Sequence, residues 1–437
     1  MRGRRPDRDR RPLATRSAHG PQDRPTRPRV HGDAGAPGPL TVTPGAAAAV
    51  RRGHPWVYAD QITSGLAGLE TGDTAVVHDP TGKALGCAIV DPSSPLAARV
   101  WTHDPTVVID EALVRERIER AIALREVHVE ASTTALRWVH GEGDRAPGIV
   151  LDRYGDVAVL RLDGAAMHTW TDRIADVVFA LVSKRGVRSL GLRVTGKGSR
   201  GAVGDAGDAS DDGKLRPLRG EPPPDVVIVH EHGVPFVVDL ARGQKTGAFL
   251  DQRDNRRRVG LLSRGKRVLN LFSYAGGFSL HAALGGATAC TSVDVAAGAH
   301  VTAQRSFREA GVALDAHSFV TADVWRFLER AQARGETWDV VISDPPNMAP
   351  SEATRARALT AYKQLHGLCA AVVAKGGVLC AASCSSHVSL EDFLGTLDDA
   401  TLGRGDLRVL EIASAGVDHP TLPAFPEGRY LEFVILG

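Results

Sequence analysis

The sequence predicts an α/β protein in three parts: a small β-rich domain, an α+β middle domain and a C-terminal, doubly wound parallel sheet. Short β-type runs separated by turns occupy residues 40–106. Helical spacing of apolar residues begins near Val107, and strands alternate with helices from about His230 onward. Regular alternation of strands and helices is typical of a parallel sheet covered by helices on both faces.

An arginine-rich arm is predicted at residues 1–39. Ten arginines and three aspartates give residues 1–30 a net charge of +7, whereas the whole chain of 437 residues carries only +2. A polar, proline-rich stretch of this composition is expected to be disordered. It is either a contact for an RNA backbone or a solvated tail.

The β-rich domain and the middle domain are separated at about residue 106. In the first, the turn DPTGK at residues 79–83 lies between apolar runs and predicts a hairpin. The middle domain, residues 107–229, is predicted to contain two helices and several strands around two turns. Residues 196–224 are rich in glycine, aspartate and proline, and are predicted to be a long mobile loop.

The C-terminal domain, residues 230–437, is predicted to place three aspartates at successive strand ends. The runs SVDV, VTAD and VISD end or nearly end three strands at Asp294, Asp323 and Asp344. Ligands of open α/β sheets bind at the carboxyl ends of strands, where the topology switches. These acids are therefore candidate ligand contacts, although each could instead be a helix N-cap.

Composition excludes several classes of protein. The sequence contains no run of about 18 apolar residues, so no membrane span is predicted. The five cysteines form no CxxC pair and no His/Cys cluster with zinc spacing, so no metal site is expected. Reduced cysteines without a secretory signal indicate a cytoplasmic protein.

A glycine turn and a distant acid indicate a nucleotide-like cofactor. Gly276 and Gly277 in NLFSYAGGFS allow close backbone approach, and Asp294 follows Gly276 by 18 residues at the end of the next strand, where an acid can bind ribose hydroxyls. Asp323 could meet an adenine. The turn matches neither GxGxxG nor the P-loop pattern, so S-adenosylmethionine fits better than NAD or ATP.

Several motifs together resemble a known family. In order they are RRGHPWVYADQI, GEGDRAPGIVLDRYGD, KTGAFLDQRDNRR, RVLNLFSYAGGFSLHAALGG, SVDV, DVVISDPPNM, AASCSS and DHPTLPAFPEGRYLEF. They resemble the bacterial 23S ribosomal RNA cytosine-C5 methyltransferases with an N-terminal PUA domain. The similarity covers about residues 40–437. One departure is that Asn347 and Met348 follow DPP, where the family usually has lysine and an aromatic residue.

The resemblance implies a Rossmann-like class I methyltransferase domain, a PUA-like RNA-binding domain and 23S ribosomal RNA as the partner. A homodimer is compatible with the sequence, which does not decide the oligomeric state. The motif positions and the strand-end argument together give the expected cofactor-binding residues Asn270, Phe272, Ser273, Tyr274, Gly276, Gly277, Asp294, Asp323 and Asp344. The expected substrate-binding residues are Pro345, Pro346, Gln252 and Arg253.

Cys384 and Asp344 are the expected catalytic residues. Of the five cysteines, only Cys384 follows a predicted strand with polar neighbours at the ligand edge. Cytosine C5 is a weak nucleophile, so the resemblance implies that the Cys384 thiolate first adds to C6. Asp344 is expected to bond the N3/N4 edge of the base, beside a loop that Pro345 and Pro346 stiffen.

Some features of the chemistry stay open. The thiol is expected to have a lowered pKa. The base that removes the C5 proton could be Lys245, His387 or His419. Two alternative functions are a guanine N7/N2 ribosomal RNA methyltransferase and a non-catalytic RNA-binding protein. Cys384 favours the cytosine enzyme, because the related guanine-modifying family has asparagine at that place.

Overall fold

The structure, a computed structural model, describes residues 39–194 and 215–437. The predicted arm, except for Pro39, and residues 196–214 of the predicted loop lie outside the described residues. Among the described helices, none combines the length and the apolar character that crossing a bilayer requires.

The first domain is a six-stranded sheet with the strand order β2-β6-β5-β4-β1-β3. Its elements are β1 Leu40–Val42, α1 Pro44–Arg51, β2 Trp56–Tyr58, β3 Ile62–Ser64, β4 Thr74–His78, β5 Ala84–Val90 and β6 Leu96–Thr102. The pairing of β4 with β5 confirms the hairpin predicted at DPTGK.

The middle domain packs helices on a five-stranded sheet of order β11-β10-β9-β8-β7. Its elements are α2 Glu111–His128, β7 Ala135–His140, β8 Ile149–Tyr154, β9 Val157–Leu162, α3 Ala165–His168, α4 Thr171–Val182, β10 Ser189–Arg193 and β11 Leu215–Gly220. Cys87, Ile89 and Trp101 of the first domain belong to its hydrophobic core. The first two domains are therefore packed against each other through a continuous apolar contact.

Two sequence predictions at the end of the middle domain need correction. Residues 215–220, predicted as loop, form β11, which pairs antiparallel with β10. Its proline, Pro217, is tolerated because β11 is an edge strand of the described sheet. The boundary predicted at residues 229–230 falls inside a hairpin formed by β12 Val226–Glu231 and β13 Val234–Asp239.

The C-terminal domain is a seven-stranded sheet of order β16-β15-β14-β17-β18-β20-β19. Its helices are α5 Arg253–Leu262, α6 Gly277–Leu284, α7 Ala297–Glu309, α8 Val324–Ala333, α9 Arg355–Val372 and α10 Leu390–Thr401. Its strands are β14 Arg267–Leu271, β15 Ala289–Asp294, β16 His317–Thr321, β17 Trp338–Ser343, β18 Val373–Ser383, β19 Val409–Ala413 and β20 Glu432–Leu436.

The strand order places a topological switch at β14. The chain runs outward from β14 through β15 to β16, then returns to β17 on the other side, and these neighbours pair in parallel. The predicted terminal hairpin is confirmed, since β20 pairs antiparallel with β18 and β19. Successive residues of β14 serve opposite faces: Val268 joins one core cluster, and Leu269 joins the other.

Candidate active site

The turn after β14 is held in an uncommon backbone conformation. Phe272 has φ 55°, Tyr274 has φ 44° and Gly276 has φ 72°. Non-glycine residues in the left-handed region persist only where their surroundings fix them. The Tyr274 amide donates to Asp294 Oδ2 at 2.8 Å, and its hydroxyl accepts the Gln244 amide at 3.0 Å. The turn is thus built rigidly at the switch point of the sheet.

Gly276 is required by space as well as by backbone angle. A Cβ at Gly276 would lie 2.9 Å from the Cβ of Ala303, and one at Gly277 would lie 2.8 Å from Cδ of Arg256. Ser273 is buried and its amide donates to Val293 O at 3.0 Å. Gly276 therefore lets the start of α6 lie close to α7, and Gly277 lets it lie close to α5.

Asp294 is the last residue of β15. Its Oδ2 accepts the Tyr274 amide and its Oδ1 accepts the Ala296 amide, each at 2.8 Å. A carboxylate has about four lone-pair positions, so two further donors can bind. Two ribose hydroxyls satisfy that requirement, and the residues present fit an adenosyl group.

The side chains of two other predicted cofactor-binding residues, Asp323 and Asn270, make hydrogen bonds within the protein. The Asp323 carboxylate caps α8 by accepting the Arg326 amide at 3.0 Å, so the helix-cap alternative describes that oxygen. Asn270 is buried and its Nδ2 donates to Ser279 Oγ at 2.9 Å. Its Oδ1 is buried and lacks a hydrogen-bond partner within the described ranges. Asn270 therefore positions α6 and keeps one unused acceptor.

Asp344 lies at the end of β17 with an altered acidity. Burial raises its pKa to about 7, and the neighbouring charge of Asp251 acts in the same direction. Gln252 donates a hydrogen bond to it and partly opposes the shift. A carboxyl group with a pKa near 7 can give or take a proton at neutral pH. Pro345 is buried and Pro346 is exposed, so the loop turns outward there.

Cys384 follows β18 beside the same loop. All five cysteines lie in described ranges, and the other four are buried, whereas Cys384 is partly accessible. Its Sγ lies 3.8 Å from the carbonyl oxygen of Pro345. Cys384 and the DPP loop, predicted separately from the sequence, are therefore in contact.

The expected acidity of Cys384 is not found in the structure. Burial raises the pKa of the thiol to about 12, and the Asp344 charge raises it further, whereas Lys245 lowers it. The prediction of a lowered pKa is wrong. The prediction failed because the short run AASCSS shows neither the burial of the Cys384 thiol nor the nearby carboxylate of Asp344.

Arg253, predicted to bind substrate, is buried beneath the site. It is 1% exposed, and its guanidinium pairs with Asp418 at 2.6 Å and with Asp254 at 3.1 Å. The prediction is corrected, because this side chain is committed to the protein interior. Gln252 is also buried and accepts the Asn255 side-chain amide at 2.7 Å.

The three candidate proton acceptors lie in different surroundings. Lys245 has φ 53°, and its Nζ is 2.9 Å from Asp251 Oδ2. His387 is about a third exposed and its Nδ1 is 3.6 Å from Glu352 Oε2. His419 is buried beside Asp418. Lys245 and His419 thus border the buried polar groups around Cys384, whereas His387 faces an exposed acid.

The C-terminal motif connects all three domains, which the sequence did not reveal. Trp56 packs its ring 4.6 Å from that of Phe425, and its Nε1 donates to Glu142 at 2.8 Å. The Arg137 amide donates to Asp418 Oδ2 at 3.0 Å. Residues 416–430 therefore lie at the junction of the domains, next to the site.

A cavity opens at this junction. It is lined by residues of the middle domain and of the C-terminal domain: Arg137, His140, Glu142, Lys245, Phe425 and Tyr430.

Across the described ranges, no group of three or more His, Cys, Asp or Glu side chains is placed to hold a metal ion.

Family comparisons define the class of protein. An S-adenosylmethionine-dependent methyltransferase family model matches residues 208–411, and a PUA-like domain model matches residues 40–103. The protein is an S-adenosylmethionine-dependent methyltransferase with an N-terminal PUA-like domain and a C-terminal α/β methyltransferase domain.

Curated relatives define the family more narrowly. A ribosomal RNA large subunit methyltransferase of Deinococcus radiodurans is 37% identical over 91% of this chain and 96% of its own length. Ribosomal RNA large subunit methyltransferase I of Cronobacter sakazakii is 32% identical over 90% of this chain and 97% of its own. The chain belongs to the ribosomal RNA large subunit methyltransferase family.

Solved structures agree with the fold. A methyltransferase-like chain complexed with SAH has a TM-score of 0.78 at 20% identity, covering 91% of this chain and 99% of its own. A chain from Streptococcus mutans described as SAM-dependent has a TM-score of 0.77 at 22% identity, with the same coverage. At these identities the likeness extends to the fold.

We expect Asp294→Ala to weaken S-adenosylmethionine binding by about 1–3 kcal/mol, because charge-assisted bonds to the ribose are lost. Isothermal titration measures the change. Asp315→Ala, an exposed aspartate of the same domain, serves as the control. Unchanged affinity of Asp294→Ala would remove the ribose role.

Proposed function

We propose that this protein methylates C5 of a cytosine in 23S ribosomal RNA through a covalent bond between Cys384 and C6 of the base. One observation carries the proposal: the accessible cysteine contacts the DPP loop at the carboxyl edge of the sheet. The names of the relatives support large-subunit ribosomal RNA as the substrate. The cytoplasm is the corresponding location.

The thiol is needed because C5 of cytosine is not nucleophilic enough to react alone. Addition of the Cys384 thiolate to C6 makes C5 enamine-like, which splits one difficult step into easier ones. Bound S-adenosylmethionine supplies an electrophilic methyl group. Loss of the C5 proton then restores the ring and releases the thiolate.

Asp344 is suited to stabilise the negative charge that develops on the cytosine ring. When Cys384 adds to C6, electron density moves toward N3 of the cytosine. Since the pKa of Asp344 is about 7, a large fraction of its carboxyl groups is protonated at neutral pH and can donate to N3. Protonation of Asp344 also removes the negative charge that raises the pKa of the thiol.

Ionisation of Cys384 is expected to accompany binding of the target base, because burial raises the pKa of the thiol to about 12. Neutralising Asp344 and retaining the nearby Lys245 charge both favour the thiolate. The free enzyme is therefore expected to be unreactive toward other electrophiles. The target base must also leave its stack to reach this edge of the sheet.

A fluorinated substrate tests the proposed mechanism. Large-subunit ribosomal RNA transcribed with 5-fluorocytidine should trap the enzyme as an adduct that survives a denaturing gel and requires S-adenosylmethionine. Fluorine cannot leave C5 as a proton does, so elimination of the thiolate fails. Absence of the adduct, with normal methylation of unmodified RNA, would contradict the covalent mechanism and favour guanine methylation.

A further inference from the structure

The two serines that flank Cys384 are buried, whereas the cysteine between them is not. Ser383, the last residue of β18, is 0% exposed and Ser385 is 1% exposed, but Cys384 is partly accessible. Successive side chains of an extended chain point to opposite sides. The alternation of burial thus continues past the end of β18, and it directs the thiol away from the interior that holds the two serine hydroxyls.

Ser383 is bonded to a helix that packs against the sheet. Its Oγ lies 3.0 Å from the hydroxyl oxygen of Tyr362 in α9, and both residues are fully buried. The ring of Tyr362 lies 5.4 Å from the ring of Phe393 in α10, in an edge-to-face arrangement. Packing therefore fixes the tyrosine ring, and the tyrosine hydroxyl in turn fixes the residue that precedes Cys384.

Ser385 is bonded to the loop that contains DPP. Its Oγ donates to the carbonyl oxygen of Ala349 at 3.0 Å, and both residues are buried. The amide of Ala349 donates to Oδ1 of Asn347 at 2.9 Å. Asn347 is one of the two residues that depart from the family pattern, and its side chain helps to shape the loop here. The residue that follows Cys384 therefore has a fixed partner in the DPP loop.

These two bonds restrain the thiol more strongly than its own contact does. Cys384 Sγ lies 3.8 Å from the carbonyl oxygen of Pro345, and a thiol is only a weak hydrogen-bond donor. The hydroxyl bonds on either side of Cys384 join the end of β18 to α9 and to the DPP loop. A nucleophile reacts efficiently only when it is held about 3–3.5 Å from its target atom with the correct direction of approach.

We propose that Ser383 and Ser385 are positioning residues that hold Cys384 in the geometry needed for attack on C6 of the target cytosine. This inference rests on the proposed function. Neither serine forms or breaks a covalent bond, and each acts through the backbone of the cysteine. Without either hydroxyl, the segment that contains Cys384 can shift relative to the DPP loop. A misplacement of about 1 Å is enough to lower a rate by about 10²-fold.

The rate of adduct formation measures this positioning. Large-subunit ribosomal RNA transcribed with 5-fluorocytidine is mixed with the enzyme and S-adenosylmethionine, and the complex that survives denaturation is followed over time. In Ser385→Ala and in Tyr362→Phe we expect the adduct to form about 10²-fold more slowly than in the wild type. With unmodified RNA, kcat should fall while KM stays unchanged, and isothermal titration should show unchanged cofactor affinity.

A double-mutant cycle tests the bond between Ser383 and Tyr362. Ser383→Ala and Tyr362→Phe remove the same bond from opposite sides, so the double variant should be no slower than either single variant. Tyr362→Phe also retains the ring that packs against Phe393. The matched control is Thr360→Ala, which removes an exposed hydroxyl from the same helix and should form the adduct at the wild-type rate.

Two results would overturn the positioning role. One is adduct formation at the wild-type rate in both Ser385→Ala and Tyr362→Phe. The other is a parallel loss of cofactor affinity and adduct formation, because the hydroxyls would then support the fold as a whole. Either result leaves the covalent mechanism standing if the wild-type enzyme forms the adduct. Absence of the wild-type adduct would overturn the mechanism and the positioning role together.

Discussion

Cys384→Ala is expected to lower the rate of RNA methylation by at least about 10³-fold, because removal of a covalent nucleophile removes the step that activates C5. S-Adenosylmethionine affinity should be unchanged, since the thiol contacts the DPP loop and not the turn after β14. Methyl transfer to large-subunit ribosomal RNA and isothermal titration measure the two quantities.

Cys380→Ala is the matched control for this prediction. Cys380 lies in the same strand, β18, but is fully buried, so its loss should affect stability and leave the covalent adduct intact. Near-normal methylation by Cys384→Ala would exclude cytosine C5 as the target. A guanine N7 or N2 target would then be favoured, because those atoms carry a lone pair and need no covalent activation.

Asp418→Asn is expected to lower the free energy of unfolding by about 3–5 kcal/mol, because it removes the buried carboxylate that pairs with Arg253 and leaves this buried guanidinium only the partly exposed Asp254. Asp418 is 0% exposed and accepts Arg253 Nη1 at 2.6 Å, the Arg137 amide at 3.0 Å and His419 Nδ1 at 3.0 Å. Chemical denaturation measures the change. Asp392→Asn, which breaks the more exposed pair with Arg355, should cost much less.

The same ion pair gives a direction for the pH dependence of stability. Burial opposes ionisation of Asp418, but the charges of His419 and Arg253 outweigh it and lower the pKa. A group with a lowered pKa in the folded state stabilises the protein above its unfolded pKa. This stabilisation should therefore be present at neutral pH and decrease as the pH falls below about 4. A difference between wild type and Asp418→Asn that does not shrink in acid would contradict this account.

Local sequence patterns predicted the α/β fold and the main parts of the site. Strand–helix alternation was sufficient because each element of the C-terminal sheet carries its own periodicity, and the terminal hairpin follows from the same pattern. Asp294 and Cys384 could be selected because Asp294 ends a strand and Cys384 directly follows one, where parallel strands expose their ends. S-Adenosylmethionine followed from the type of turn, and the family match agrees with it.

The missed features depend on contacts between distant parts of the chain. Arg253 looks like an RNA contact until its buried partner, 165 positions away, is known. The raised pKa of Cys384 depends on burial of the thiol and then on Asp344, which is distant in sequence. The sequence predicts a loop at β11 because the surrounding residues are rich in glycine and proline, and the strand obtains its register only by pairing with β10.

The junction at residues 416–430 also limits which domains of this protein can be exchanged with those of a relative. Trp56 of the first domain contacts Glu142 of the middle domain and Phe425 of the C-terminal domain. His54 and Glu427 add a second link across the same boundary, at 3.4 Å. A chimera that takes only its first domain from a relative must therefore also take the matching residues at 142, 425 and 427. Otherwise the exchanged domain will not pack against the other two domains.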